Sequence, residues 1–460
     1  MGSEHFSLSF IFFIIVIMIM LFIEKKNFKR EGIVFLRRSS KGLAFLKKLS
    51  KKYGRIINYL GDFAVVLSYG LFSWRYIFKE SKNKRYAFCL LAIYFFIAWL
   101  VYDHFKFLES AILGIWNSER YSSLIINISR LFGYGLGIGG LAFFLLSIGS
   151  FSILYNSLFL LKEVQPPLQI VLPISVPSKY NLPVLSVPFD KWLISVVVLV
   201  IVHEFAHAIM SASNNIRVKS VGYGFMLFLP LGFAEPDERQ LKKSKLINKL
   251  RVYAAGSFSN FIFALIFGLL FIPFNFGLKH MDVYEFQGIC YNGLVKWTNA
   301  PSVLPVNGTI THIDGVQLHN FTHFAKVLNS YHPGENITLT INGTNYTVTL
   351  CESPKNSSLP FIGIMHVGER YEMKEDVKNN LLKKITFYLL LYFGSLFMWI
   401  SLLNLGIGIA NLLPLIPLDG GLMIKEMLER HRAIYLTIFI LTFLLLVFSL
   451  FGKFIIKIFL

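Results

Sequence analysis

The chain has 460 residues, 55% of them hydrophobic and 15% charged, with a mean hydropathy of +0.58, which excludes an ordinary soluble globular protein and points to a membrane one. The net charge of +19 would suit nucleic acid, but the basic residues cluster between apolar runs, where the positive-inside rule expects them, so no nucleic-acid partner is expected. Cys89, Cys290 and Cys351 lack the number and spacing of a disulfide framework or a thiolate metal site, so any metal must be held by histidine and carboxylate.

A bilayer core takes about 20 apolar residues as a helix. Eight stretches of this chain qualify, at 6–23, 59–78, 86–103, 131–155, 190–211, 250–274, 384–410 and 433–457. The first lacks a basic leader and a small-residue cleavage site, and reads as a retained helix rather than a signal peptide. The stretch 59–78 is the weakest, because Asp62 and Arg75 interrupt it. Twelve cations between Lys25 and Arg55 mark a cytoplasmic loop. Counting helices from there puts the basic loop after 190–211 inside too, and sends the polar stretch 280–370 outside. That stretch carries N-x-S/T sequons at Asn307, Asn320, Asn336, Asn342, Asn345 and Asn356. Lys82, Lys84 and Arg85 fall in a short outside loop and do not fit the count.

The Pro-punctuated stretch 162–190 cannot form a long helix, since each proline removes a donor and restrains its predecessor. Non-helical backbone at membrane depth must be buried in protein or line a wet cavity. The segment around Ile170 and Val171 is therefore a candidate active-site wall, with an ordinary external loop as the other reading.

In the stretch 190–211 an apolar run is followed by His203-Glu204-Phe205-Ala206-His207. Residues four apart share a helix face, so both imidazoles can reach one Zn²⁺ while Glu204, beside them, can take a proton from water. Charged groups inside a membrane helix cost at least about 2.5–3.5 kcal/mol each and mark function. A catalytic zinc needs a third protein ligand. Between Asp376 and Glu426 the only acid is Asp419, in Asn411-Leu412-Leu413-Pro414-Leu415-Ile416-Pro417-Leu418-Asp419-Gly420-Gly421. The prolines break the helix there and the glycines allow close backbone approach. Helix capping is the competing role for Asp419, and Glu235, Asp237 and Glu238 are rival ligands.

Together these residues resemble the site-2 protease family of intramembrane metalloproteases over roughly 165–430, most of all its archaeal members. HEFAH and NLLPLIPLDGG are the two signatures that carry the resemblance, with Ala255-Gly256-Ser257-Phe258-Ser259-Asn260 between them. The resemblance implies zinc bound by His203, His207 and Asp419, water activated by Glu204, and a substrate strand held partly by Asn411, with Ile170 and Val171 added from the reading above. It assigns no firm role to Asn260 and none to residues 1–161. Within 280–370, strand-like alternation up to Asp314-Gly315, a helical run Phe321 to Leu328, and strands near Ile337 to Ile341 and Tyr346 to Leu350 resemble the order of the family's PDZ domains.

The expected fold class is mainly α, a polytopic membrane protein of about eight transmembrane helices with a small α/β PDZ-like extracytoplasmic domain. The expected parts are 1–161, a first catalytic half at 162–275, the PDZ-like insert at 280–370 and a second half at 380–460. The expected partners are membrane-anchored protein substrates and the lipid bilayer, in the cell membrane of an archaeon or an internal membrane of a eukaryote. Two other functions compete: a prenylated-protein processing protease that also carries HExxH in a membrane helix, and a non-catalytic scaffold binding clients through the insert.

Overall fold

In a computed structural model, the described residues are 2–23, 28–32, 34–39, 41–104, 109–110, 112–113, 122–160, 168–173, 183–226, 229–354 and 356–459. The chain divides into two compact units, one formed by 1–271 with 395–460 and the other by 272–394.

The long helices are α1 (Gly2–Ile23), α2 (Lys41–Glu80), α3 (Lys84–Trp99), α4 (Ser122–Tyr155), α5 (Phe189–Ser213), α6 (Leu246–His280), α7 (Leu381–Ala410), α8 (Asp419–Met427) and α9 (Arg432–Phe459). Among the described residues seven helices, α2 to α7 and α9, are long and apolar enough to cross a membrane. The eighth stretch expected from the sequence is α1, a 22-residue helix of whose side chains only part are described, and it is not one of the seven.

The weakest stretch of the sequence becomes a 40-residue helix because its polar residues find partners. Both oxygens of Asp62, 3% exposed, take Arg251 of α6, at 2.8 Å from Nε and 2.9 Å from Nη2, and Tyr86 of α3 donates its hydroxyl at 3.0 Å. A planar guanidinium matched to both carboxylate oxygens is the arrangement in which a membrane charge pair is tolerated. The Arg75 guanidinium lies 4.3 Å from the centre of the Phe72 ring.

The basic stretch 25–55, expected as a loop, is not loop throughout. Its described part forms the strands β1 (Phe28–Glu31) and β2 (Val34–Ser39) and the first turns of α2. After β3 (Ile170–Leu172) and β4 (Val184–Ser186) come β5 (Val218–Met226) and β6 (Leu229–Pro236). β2 and β5 pair antiparallel, Val34 opposite Met226 and Ser39 opposite Val221, and the four-stranded sheet runs β1-β2-β5-β6. Residues 161–167 and 174–182 of the Pro-rich stretch lie outside the described residues. The described remainder is the parallel pair β3 and β4.

In the unit 272–394, β7 (Tyr284–Asn292), β8 (Asn307–Ile313), β9 (Val316–Gln317), β10 (Asn336–Ile341), β11 (Thr344–Thr349) and β12 (Gly368–Met373) form a sheet in the order β11-β10-β8-β7-β12, with β9 against β8. A short helix, Phe321–Leu328, follows β9. The inward faces of the strands supply the core, with Ile289, Ile310, Ile313, Ile337 and Leu339 all at 0% exposure. Asp314 and Gly315, at φ of 45° and 79°, make the tight turn between β8 and β9. All six sequon asparagines are exposed, and all three cysteines are free thiols.

Candidate active site

α5 is a helix because its apolar run carries no proline or glycine from Phe189 to Ser213. Its spacing places His203 and His207 on one face, their rings 4.7 Å apart between centres. Asp419 arrives from the other side of the chain. α7 stops at Ala410, Pro414 and Pro417 prevent its resumption, and the segment folds back so that Gly420 N–H donates to Asn411 C=O at 2.7 Å. A Cβ on Gly420 would stand 2.2 Å from the Leu412 oxygen, so this closure needs glycine. Asp419 opens α8 without capping it: the N-cap is Leu418, and no side chain caps the helix.

The three side chains converge. His203 Nε2 lies 3.1 Å from His207 Nε2 and 3.4 Å from Asp419 Oδ2, and His207 Nε2 lies 3.5 Å from Asp419 Oδ1. They form the one group of three or more metal-ligating side chains among the described residues. Their side chains are only 11–13% exposed.

Three observations test whether these residues fit a metal ion. First, His207 Nδ1–H donates to Val252 C=O at 2.7 Å, which leaves Nε2 as a lone pair facing the other acceptors. Second, His203 Nδ1 lies 3.2 Å from the Asn260 amide nitrogen while the Asn260 Oδ1 has no partner. Turning that amide over gives Oδ1 the Nδ1–H and makes the second Nε2 a lone pair as well. Third, a Cβ on Gly256 would stand 2.4 Å from His207 Nε2 and 2.6 Å from His203 Nε2, so glycine keeps open the space both nitrogens face. Nitrogen lone pairs and a carboxylate with no donor among them call for a cation. The residues fit a metal ion.

Glu204 follows His203 and is half-buried. Its Oε2 accepts the backbone N–H of Ala234, in β6, at 2.9 Å, leaving Oε1 without a hydrogen-bond partner among the described residues. Beside it lies an apolar cavity of about 610 Å³, lined by α2, by Val197, Val200 and Glu204 of α5, and by the hairpin of β5 and β6.

The structure does not bring every expected residue to this cluster. Val171 packs against the apolar cluster of Val187, Phe189, Trp192, Leu199 and Leu403, and neither it nor Ile170 has a described contact with the two histidines or Asp419. Asn411 is half-buried, and its side chain makes no hydrogen bond among the described residues. The rival ligands have other partners. Glu235 accepts Ser220 Oγ at 2.7 Å and lies 3.6 Å from Arg38. Asp237 caps the short helix Glu238–Lys243, and the N–H of Gln240 holds its carboxyl below the ordinary value. Glu238 pairs with Lys242.

Sequence reasoning missed the β6 edge, the Val252 carbonyl and the role of Gly256. Only Gly222-Tyr223-Gly224 hinted at the first, because glycines in a strand mark close backbone approach. A Cβ on Gly222 or Gly224 would stand 2.3 Å from a β2 carbonyl oxygen.

Comparison with known proteins agrees with this chemistry. The chain is 28% identical over 135 residues to a membrane-bound transcription factor site-2 protease homolog of Arabidopsis thaliana, covering 28% of this chain and 25% of that protein. It is 27% identical over 239 residues to an uncharacterized protein of Methanocaldococcus jannaschii, covering 51% and 56%. It is 25% identical over 304 residues to a provisionally named zinc metalloprotease of Fusobacterium nucleatum, covering 52% and 88%. The chain thus spans about a quarter of the first relative's length and just over half of the second's. The model of peptidase family M50 matches residues 191–450, more than half of the chain and the whole stretch from HEFAH to Asp419, and the protein therefore belongs to peptidase family M50, the site-2 proteases.

Proposed function

We propose that this protein is an intramembrane zinc endopeptidase that cleaves membrane-anchored proteins within or beside the bilayer. The observation that carries the reading is the convergence of His203, His207 and Asp419 around a space that Gly256 keeps open, with Glu204 beside it. A Zn²⁺ held there supplies Lewis acidity and lowers the pKa of water. Val252 and Asn260 orient the two rings. Glu204 is the general base: Ala234 N–H holds Oε2, and Oε1 takes the proton.

A peptide bond in a helix is shielded, so the substrate must be held extended. β6 is an edge strand of its sheet. In an antiparallel ladder alternate residues turn their N–H and C=O outward, and Ala234 is one of these, because its N–H reaches Glu204. Gly232, two residues back, shares that direction, and a Cβ there would stand 2.5 Å from Val200 Cγ1. Strand addition along this edge, within the apolar cavity, would deliver a scissile carbonyl next to the base. The outward groups of Val171 in β3 are a second candidate edge, and the free amide of Asn411 a further hold on the substrate.

The unit 272–394 is read as a PDZ-like module that selects substrates and takes no part in the chemistry. The test is zinc content together with cleavage of a single-span peptide by purified protein. A protein that holds stoichiometric zinc yet cuts no membrane peptide would favour the scaffold reading.

A further inference from the structure

The helices α1 to α4 lie outside the segment matched by the family, and nothing in the sequence of residues 1–161 pointed to a role for them. One of them reaches the metal-site loop. The Tyr69 hydroxyl of α2 donates to Leu412 C=O at 2.8 Å and, shared, to Gly420 C=O at 3.1 Å. Leu412 lies just past the end of α7, and Gly420 lies in the first turn of α8, next to Asp419. Tyr69 therefore ties together the two ends of the loop that carries the carboxylate.

It gets there through a break shared by two helices. Tyr69 (φ −133°, ψ 24°) and Gly70 (φ 54°, ψ −138°) interrupt α2, and Gly137 (φ 60°, ψ −159°) interrupts α4. The breaks meet: a Cβ on Gly70 would stand 2.7 Å from Gly137 N, and one on Gly137 would stand 2.6 Å from Gly70 N. Ser73 Oγ donates to Val65 C=O at 2.7 Å and to Gly70 C=O at 3.1 Å, so the carbonyls freed by the break are satisfied inside the protein. Gly139 leaves room for the clamp, because a Cβ there would stand 2.8 Å from both the Tyr69 ring and the Leu412 oxygen. Tyr69 is 2% exposed. Further along α2, the Tyr76 hydroxyl donates to Met427 C=O at 2.6 Å, at the far end of α8.

We propose that Tyr69 is a positioning residue for the metal site: its hydroxyl fixes the Leu412 to Gly420 loop so that Asp419 faces His203 and His207. The broken pair α2 and α4 then belongs to the metal site, although it lies outside the family-matched segment. A carboxylate on an untethered loop would be oriented only when metal binds, at the cost of ordering the loop. The clamp supplies that order beforehand. This inference rests on the reading of His203, His207 and Asp419 as ligands.

The test uses the full chain in detergent. Zinc affinity is measured by competition with a chromophoric chelator, and the ligand field is read from the visible absorption of the Co²⁺-substituted protein. Tyr69→Phe is expected to weaken zinc about 10-fold, the range seen for groups that orient metal ligands, and to shift the Co²⁺ bands. Tyr76→Phe, which loses a comparable hydrogen bond at the other end of α8, is expected to lower the unfolding temperature and leave zinc affinity within about 2-fold of the parent. Gly139→Ala, which presses on the same contact, is the second variant and should move affinity in the direction of Tyr69→Phe. Unchanged affinity and Co²⁺ bands in Tyr69→Phe, with zinc lost in Asp419→Ala, would overturn the proposal and leave the ligand reading standing. Equal zinc loss in Tyr69→Phe and Tyr76→Phe would overturn it as well, since the effect would be general packing. Stoichiometric, tight zinc in Asp419→Ala would remove the ligand reading, and the proposal with it.

Discussion

Glu204 and Gly256 make opposite demands on the site, one chemical and one steric. An amide in place of the Glu204 carboxylate can still meet Ala234 N–H through its oxygen but accepts no proton. Glu204→Gln should therefore retain zinc and lose at least about 100-fold in cleavage, measured as zinc per chain and product per hour on one preparation. Gly256→Ala puts a methyl between the two Nε2 atoms and should leave a folded protein without stoichiometric zinc, read by elemental analysis. Full zinc in that variant would mean the ion sits elsewhere. The grouping of His203, Glu204 and His207 was legible in the sequence because it is local, two imidazoles one helical turn apart with a carboxylate between. Asp419 was legible only as the single acid in a proline-broken, glycine-ended segment and through the family resemblance. Asn260 stood out only as the end of a family-like motif with no firm role, and Tyr69 not at all, because their partners, His203 and the Asp419 loop, are set only by the fold.

The sheet next to the site is the element that sequence patterning missed. β2 and β5 pair across nearly the whole first half of the chain, and the basic residues of β2 read as part of a loop. Helix patterning fared better because it is short-range, although it saw α2 only in part: Asp62 breaks the apolar run but has its partner on α6. Ala234→Pro removes the outward N–H that holds Glu204 Oε2, at an edge strand where proline leaves the inner ladder intact. It should slow cleavage about 10-fold or more with zinc retained, whereas Val171→Pro does so only if β3 also takes substrate. Parental rates in Ala234→Pro, with normal folding, would remove β6 from the mechanism. Gly137→Ala forces a Cβ into the backbone of Gly70 at a φ and ψ essentially reserved for glycine. It should destabilise the protein by about 1–3 kcal/mol, seen as a lower unfolding temperature.

In the whole molecule, the proposed function leaves chemistry to the unit that holds His203, His207 and Asp419 and selection to the insert. The strands of the insert start at Tyr284 and end at Met373, paired with each other, and Lys374 N–H donates to Val283 C=O at 2.9 Å. Because these ends are adjacent, a short Gly/Ser linker can replace 284–373. That variant should keep zinc and cleave a minimal membrane peptide, while substrates with bulky external domains become cleavable. Loss of minimal-peptide cleavage in a folded, zinc-loaded variant would make the insert part of the catalytic machinery. Zinc-dependent cleavage is tested with purified full chain in lipid vesicles and a single-span peptide, scoring zinc per chain and products by mass spectrometry before and after removal and return of the metal. The expected result is one zinc per chain, cleavage within or beside the apolar segment, loss of cleavage with the metal and recovery on its return, and no cleavage by the zinc-loaded Glu204→Gln protein. Undiminished cleavage by Glu204→Gln, or by protein stripped of metal, would contradict it.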